Sequence, residues 1–471
     1  MNTDNAISVF APGSYRDPRA RVFFNRDRVL RAISPDASAA FRQARETGLL
    51  DELVSEGKLV PFWDVEPGGA HLPPGLDTVG VLLEHERLPF ISYPYEWAFT
   101  ALKEAALLHL EIQLRALERN LKLIDASAYN IQFQGPWPVF IDHSSFGPYE
   151  EDEAWIGHRQ FCEQFLNPLV LHARAGVPFN DWFRGSLEGL TTRDLASVLP
   201  FSSRLSPVPL IHITLPAFFE NKAVRARRAS DPVHSSKVRL PRPAFRRMLR
   251  SLRKWIGRLK PKETVSVWSG YAEDNIYAVE EAERKSAFVA EFAGKRKPAL
   301  IVDVGCNTGD YSKVALGNGA RRSIGLEPDP VALDQAFRRA RSENLDFFPL
   351  YQNIRNPSPG QGWNGEERSS LRARTSADGV LALAVLHHIV IGCHVPMGQA
   401  LAWIVGIASD GVIEFVPPSD AMVMRLLSQR GGVAHDYSAD HFDATLGNLA
   451  RVVKSETISA SGRRLVWYSH A

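Results

Sequence analysis

Residues 300–312 read Leu-Ile-Val-Asp-Val-Gly-Cys-Asn-Thr-Gly-Asp-Tyr-Ser, an apolar run that stops at glycines and small polar residues before helical spacing begins. That order specifies a strand, a tight loop and a helix. Gly305 and Gly309 remove side chains where the backbone turns close to a ligand, and Asp303 offers a hydrogen-bond acceptor at the strand's end. A second carboxylate, Glu327, ends the next apolar run 24 residues after Asp303, where it can grip both hydroxyls of a ribose. Asp329 competes for that role because Glu-Pro-Asp puts both carboxylates on one loop; Glu327 is favoured because it terminates the strand.

Apolar runs at 300–304, 323–326, 347–351, 379–384 and 412–416 alternate with helical spacing, and 457–459 with 464–468 supply a final pair. Such alternation predicts a parallel sheet with crossover helices and ligands outside the carboxyl ends of its strands. The loop Gly-Cys-Asn-Thr-Gly lacks the GxGxxG spacing that sets a helix terminus against a pyrophosphate, which argues against hydride transfer from a dinucleotide. Taken in register, these motifs resemble class I S-adenosylmethionine-dependent methyltransferases. The resemblance implies a Rossmann-like α/β domain of seven strands over 265–471, with Asp303, Gly305, Cys306, Asn307, Gly309 and Glu327 holding the cofactor. It also implies that Asn353 and Ile354 meet adenine, although many relatives have an acid where Asn353 stands.

The acceptor end is less explicit. His387 and His388 follow the fourth strand, and either is a candidate base, since a neutral imidazole can take a proton from an attacking hydroxyl or amine. Adjacent histidines point in different directions, so one at most reaches substrate; the alternative makes both structural. Beyond Glu414 at the end of the fifth strand, Arg430 and Tyr437 are candidates for the acceptor site.

With 471 residues the chain is too long for one ordinary core. Residues 1–215 read as an α+β domain: a hairpin over 20–33, a helix over 37–57, strands at 59–65 and 78–83, and a long apolar helix over 98–120. Asp125 and Asn130, five apart, precede a hairpin and Asp142. That spacing resembles the catalytic-loop region of protein kinases and aminoglycoside phosphotransferases, implying a degenerate kinase-like domain in which Asp125 orients an acceptor while Asn130 and Asp142 hold magnesium on ATP. The departures are that no His or Arg immediately precedes Asp125, that His143-Ser144 follows Asp142, and that residues 1–120 show no glycine-rich phosphate loop; the alternative is a set of turn caps.

Residues 216–264 read as a basic linker, with 15 Lys and Arg against one acid over 222–262, leaving 40 basic against 52 acidic residues elsewhere. It is expected either to fold against that acidic remainder or to touch an anionic surface; a nucleic-acid partner is not expected. Three scattered cysteines without CxxC spacing suggest a reducing compartment and no zinc site, and His158 and His172 read as packed or capping side chains. No secretory signal or membrane-spanning run is evident, so the expected location is the cytoplasm.

The resemblance extends through Tyr93-Pro-Tyr-Glu-Trp97, Asp125 to Asn130, Asn356 to Gly360 and Trp363 to a bacterial family of long methyltransferases that includes rhizobial host-specificity nodulation proteins. It implies methyl transfer to an undefined acceptor, such as a glycan or secondary metabolite. Two alternatives accompany it: a bifunctional kinase-methyltransferase acting on a sugar or glycan end, similar to O-antigen chain-terminating enzymes, and a methyltransferase whose front half only recognises the acceptor.

Overall fold

The computed structural model describes residues 8–66, 68, 70–228, 239–262, 279–429 and 437–470. The chain divides into two units: 1–263 with 360–369, and 264–359 with 370–471.

In the first unit, strands β1 (Ser8–Phe10), β2 (Ala20–Asn25), β3 (Arg28–Ile33), β4 (Phe62–Asp64) and β5 (Val81–His85) form one antiparallel sheet in the order β1-β2-β3-β5-β4. Asn25 faces Arg28 across a two-residue turn in which Arg26 takes φ 53°, the left-handed geometry that a tight hairpin demands. The helix expected over 37–57 is two helices, α1 (Pro35–Glu46) and α2 (Leu49–Ser55), because Gly48 at φ 73° breaks the run. Helix α3 (Phe99–Glu118) buries Leu102, Ala105, Ala106, Leu110 and Ile112, as its apolar arc requires. The strand pairs β6 (Leu121–Leu123) with β9 (Phe146–Pro148) and β7 (Ile131–Gln134) with β8 (Trp137–Phe140) follow it.

Helix α4 (His158–Phe161) continues into a run in which π turns, Cys162–Leu166 and Leu171–Ala175, alternate with α turns. A further π turn, Leu210–Thr214, leads into α5 (Leu215–Arg228). The basic segment is not a linker throughout. Helix α6 (Arg242–Gly257) belongs to the first unit and buries Phe245, Leu249, Leu252 and Ile256, each worth about 2 kcal/mol on leaving water. Arg246 pairs with Glu118 and Arg253 with Glu111 on α3, so part of the basic charge is met by nearby acids. Residues 360–369 also belong to this unit, where Glu367 receives Arg16 at 2.6 Å and the Tyr93 hydroxyl accepts the Ser369 N–H at 2.8 Å.

The second unit holds one seven-stranded sheet built from β10 (Ile301–Val304), β11 (Ser323–Glu327), β12 (Phe347–Tyr351), β13 (Ala377–Ala382), β14 (Ala408–Phe415), β15 (Arg451–Thr457) and β16 (Arg464–Ser469). Its order is β12-β11-β10-β13-β14-β16-β15. The first five strands are parallel, whereas β16 runs antiparallel to both β14 and β15. The order reverses direction between β10 and β13, which opens a crevice at their carboxyl ends. Helices α7 (Val279–Arg296), α8 (Asp310–Gly317), α9 (Pro330–Ser342) and α10 (Met397–Val405) accompany the sheet, and Phe288, Phe292, Ile301, Leu381 and Trp467 share one core cluster. No described helix is long and apolar enough to cross a membrane.

Candidate cofactor site

The loop after β10 is built by conformation before it is built by contact. Gly305 and Gly309 lie at φ 72° and 82°, and Asn307 between them at φ 48°. A Cβ on Gly309 would lie 2.4 Å from the Phe347 ring, so close packing as well as backbone angle selects glycine there. The Gly305 and Cys306 N–H groups both donate to the Leu326 carbonyl, which fastens the loop to the end of β11.

Glu327 completes that fastening. Its carboxylate accepts the Asn307 N–H at 2.9 Å through one oxygen and the Asp329 N–H at 2.8 Å through the other. The two sequence motifs thus meet in one place. Burial pushes the Glu327 carboxyl up to about 7, against the lowering effect of the two N–H donors. Asp329 is occupied otherwise: it caps α9 by accepting from Val331 and Ala332, while Pro330 starts the helix without needing an N–H.

Asp303 is buried and accepts the Ser312 hydroxyl at 2.7 Å; that hydroxyl also lies 2.9 Å from Ser323 Oγ, tying β10, α8 and β11 together. Burial raises the Asp303 carboxyl to about 6. Its contacts are those of a loop organiser. Cys306 packs into a small core with Ala336, Ala340 and Phe347, and its thiol lies 3.7 Å from the Asn307 carbonyl. Asn353 accepts the Arg355 N–H at 3.0 Å as a turn cap, and Ile354 lines a cleft of about 350 Å³ with Arg355, Ile389, Gly392, Cys393 and Val395.

On the other side of the crevice Ala384, just past β13, takes φ 51°. A left-handed non-glycine residue stores strain, and two of them, Asn307 and Ala384, border one crevice. His387 is 1% exposed, and neither ring nitrogen has a hydrogen-bond partner among the described residues. Burial first, then His388, Arg463 and Lys285, lowers its pKa well below the usual imidazole value. The His388 ring lies against it, tilted by 39° with ring centroids 4.2 Å apart, and its pKa is lowered to about 4 by burial and Arg355.

Lys285 and Glu414 form a fully buried ion pair of 2.6 Å, and Arg463 stands 3.5 Å from the other Glu414 oxygen while it binds Asp420 at 2.7 Å. The sequence reading places Glu414 at the end of the fifth strand and assigns no pairing to Lys285, Asp420 or Arg463. An acid at a strand end and a lysine within the apolar face of a helix are the available signal. Tyr437 donates its hydroxyl to the Val416 carbonyl at 2.7 Å and stacks on Phe415, so the hydroxyl expected at an acceptor is already used. Arg430 lies outside the described residues.

In the first unit Asn130 Nδ2 donates to Asp125 at 2.7 Å and to Asp142 at 3.3 Å, so the three residues that suggested nucleotide chemistry do converge. However, Arg31 Nη1 donates to Asp142 at 2.9 Å and to Ser144 Oγ at 3.2 Å, and its Nη2 to the Ile141 carbonyl at 2.9 Å. The carboxylate that the kinase resemblance assigns to magnesium therefore has a guanidinium as its counter-ion. A kinase-like fold and a magnesium-ATP site find no support in this arrangement.

Among solved structures, the chain is similar to magnesium protoporphyrin IX methyltransferase from Synechocystis PCC 6803 with bound SAM, at 14% identity over 47% of this chain and 91% of that one, TM-score 0.31. It is also similar to the N-methyltransferase NodS from Bradyrhizobium japonicum WM9, at 14% identity over 42% of this chain and 98% of that one, TM-score 0.31. These likenesses are too distant to carry fold or activity across. No family model matches the chain. A relative that does bear on it is the nodulation protein NoeA of Rhizobium meliloti (strain 1021), 44% identical over 460 residues that span 98% of this chain and 96% of that protein. Similarity of that extent runs through both units, and the chain belongs to the family of the nodulation protein NoeA.

Proposed function

We propose that the second unit binds S-adenosylmethionine at the carboxyl ends of β10, β11 and β12 and transfers its methyl group to a small-molecule or glycan acceptor. The observation that carries this reading is the Glu327 carboxylate, held at the end of β11 by the Asn307 N–H of the glycine loop. The residues present suit the group: a loop with two left-handed glycines passes around an amino-acid moiety, Glu327 retains lone pairs for two ribose hydroxyls, and Ile354 offers an apolar face for adenine. When bound, S-adenosylmethionine supplies an electrophilic methyl on a sulfonium.

Positioning does most of the remaining chemistry. Holding nucleophile and methyl at attack distance supplies about 7 to 11 kcal/mol, so a strong base is not required. That matters because burial, helped by the nearby cationic groups, makes His387 a poor base; its ring nitrogens, without a partner among the described residues, suit it to accept a hydrogen bond from the acceptor. His388, lowered to about 4 by burial and Arg355, is a poor base as well. Calorimetry with S-adenosylmethionine tests the proposal. Micromolar binding that Glu327→Ala abolishes supports it, and no binding by the folded protein sinks it.

For the first unit we favour acceptor recognition over phosphotransfer, since Arg31 neutralises Asp142. A fragment lacking this unit is not needed to test that: saturating magnesium-ATP should leave the melting temperature of the whole chain unchanged.

A further inference from the structure

The first unit brings together three metal-ligand side chains that sequence spacing alone keeps apart. His158 and Cys162 lie four residues apart and share one helical face, and His212 approaches from a second helical segment 50 residues further on. His158 Nε2 lies 2.8 Å from His212 Nδ1 and 3.6 Å from Cys162 Sγ, and all three atoms lie within 4.8 Å of one another. Cys162 and His212 are buried and His158 is half-buried.

We propose that His158 Nε2, Cys162 Sγ and His212 Nδ1 form a binding site for one zinc-class cation, with its fourth coordination position open. Tetrahedral zinc with nitrogen at about 2.05 Å and sulfur at about 2.3 Å needs N···S separations of about 3.6 Å and N···N separations of about 3.3 Å. The His158–Cys162 distance already meets the first requirement, and the two imidazoles need to part by about half an ångström to meet the second. Without an ion, one ring must hold its proton between the two nitrogens; with one, both lone pairs turn to the metal.

The local backbone points the same way. Cys162 opens one π turn and His212 sits within another, and π turns inside α-helices concentrate at functional sites. Two imidazoles and one thiolate are borderline-to-soft donors, which select zinc over magnesium or calcium. Burial lowers His212 to about 4, so its ring is neutral and ready to ligate, and it raises the Cys162 thiol. Binding therefore converts the Cys162 S–H to thiolate and releases one proton to solvent. Three protein ligands leave the fourth position of a tetrahedral site for water or a ligand atom.

The test uses the whole chain, expressed with zinc present and dialysed before metal analysis. The expected result is about one zinc per chain, with X-ray absorption at the zinc edge showing two imidazole nitrogens and one sulfur at the distances above. Cys162→Ser should remove the sulfur signal, and this distinguishes Cys162 from Cys306 and Cys393. If that variant does not fold, the wild-type spectrum alone decides. Folded wild-type protein that neither retains zinc nor takes it up on titration overturns the proposal, as does zinc bound without sulfur, or uptake of copper(I) alone.

Discussion

Each unit carries a loop whose acids are held close together and whose burial shifts them upward, Asp125 in the first and Glu327 in the second. They differ in what answers the charge. In the first unit Asn130 bridges Asp125 to Asp142, and Arg31 provides Asp142 with a cation within the fold, with side chains 10% and 14% exposed. In the second, Glu327 receives two backbone N–H groups and Asp303 a serine hydroxyl, and no cation is among the influences on either. On the function proposed above, a motif of acids is a site in one place and a brace in the other. The counter-ion, not the spacing, tells them apart.

The comparison can be broken at Arg31. Removing one partner of a largely buried pair leaves an uncompensated charge, so Arg31→Ala should cost about 3 kcal/mol or more, read as a lowered denaturant midpoint. Methyl-donor affinity should stay within twofold when measured below the unfolding transition. Were the variant as stable as wild type, Arg31 would not be the brace described.

Glu327→Ala should behave in the opposite way, weakening S-adenosylmethionine binding about 100-fold or more, since two hydrogen bonds to a charged acceptor are worth about 3 kcal/mol together. Stability of the unliganded fold should change less than affinity, because the removed carboxylate is itself costly to bury. Isothermal titration and chemical denaturation on the same preparation separate the two effects.

Acidity sharpens the contrast. The Glu327 carboxyl titrates near 7 in the fold and near about 4.3 in an unfolded chain, so the native state binds the extra proton between those values. Unliganded stability contributed by this group therefore falls as pH rises from about 4.3 to 7. Affinity for the methyl donor runs the other way, because the ionised form accepts both ribose hydroxyls: it should drop about fourfold from pH 8 to 6.5. Glu327→Gln should flatten that slope, and an unchanged slope would assign the titration elsewhere.

The smallest expected effect is none. Magnesium-ATP should not shift the melting temperature of wild type, and a rise of several degrees would return the Asp125–Asn130–Asp142 cluster to nucleotide chemistry.

Much of the second unit was legible in the chain because its signals are local. Short apolar runs bounded by Gly305, Gly309 and Pro330 specify strand, loop and helix starts within a few residues of where they occur. The same holds for the Asn25–Arg28 turn and for α3. Where one glycine mattered, the reading was too smooth: Gly48 divides a helix that spacing ran through. For the basic segment, charge alone left open whether it folds back or touches an anionic surface; the buried stripe of Phe245, Leu249, Leu252 and Ile256 on α6 belongs to the first unit.

What the residues settle by themselves is the order of elements, the left-handed turns, and the placing of Glu327 at a strand end, since each depends on neighbours a few positions away. Tertiary structure decided the rest: that Asp329 caps a helix, that Tyr437 spends its hydroxyl on Val416, that Arg31 reaches across 111 positions to neutralise Asp142, and that His212 joins His158. A carboxylate's or imidazole's role is set by the charges and donors that packing brings within a few ångströms. Chain spacing specifies the side chain but not its company.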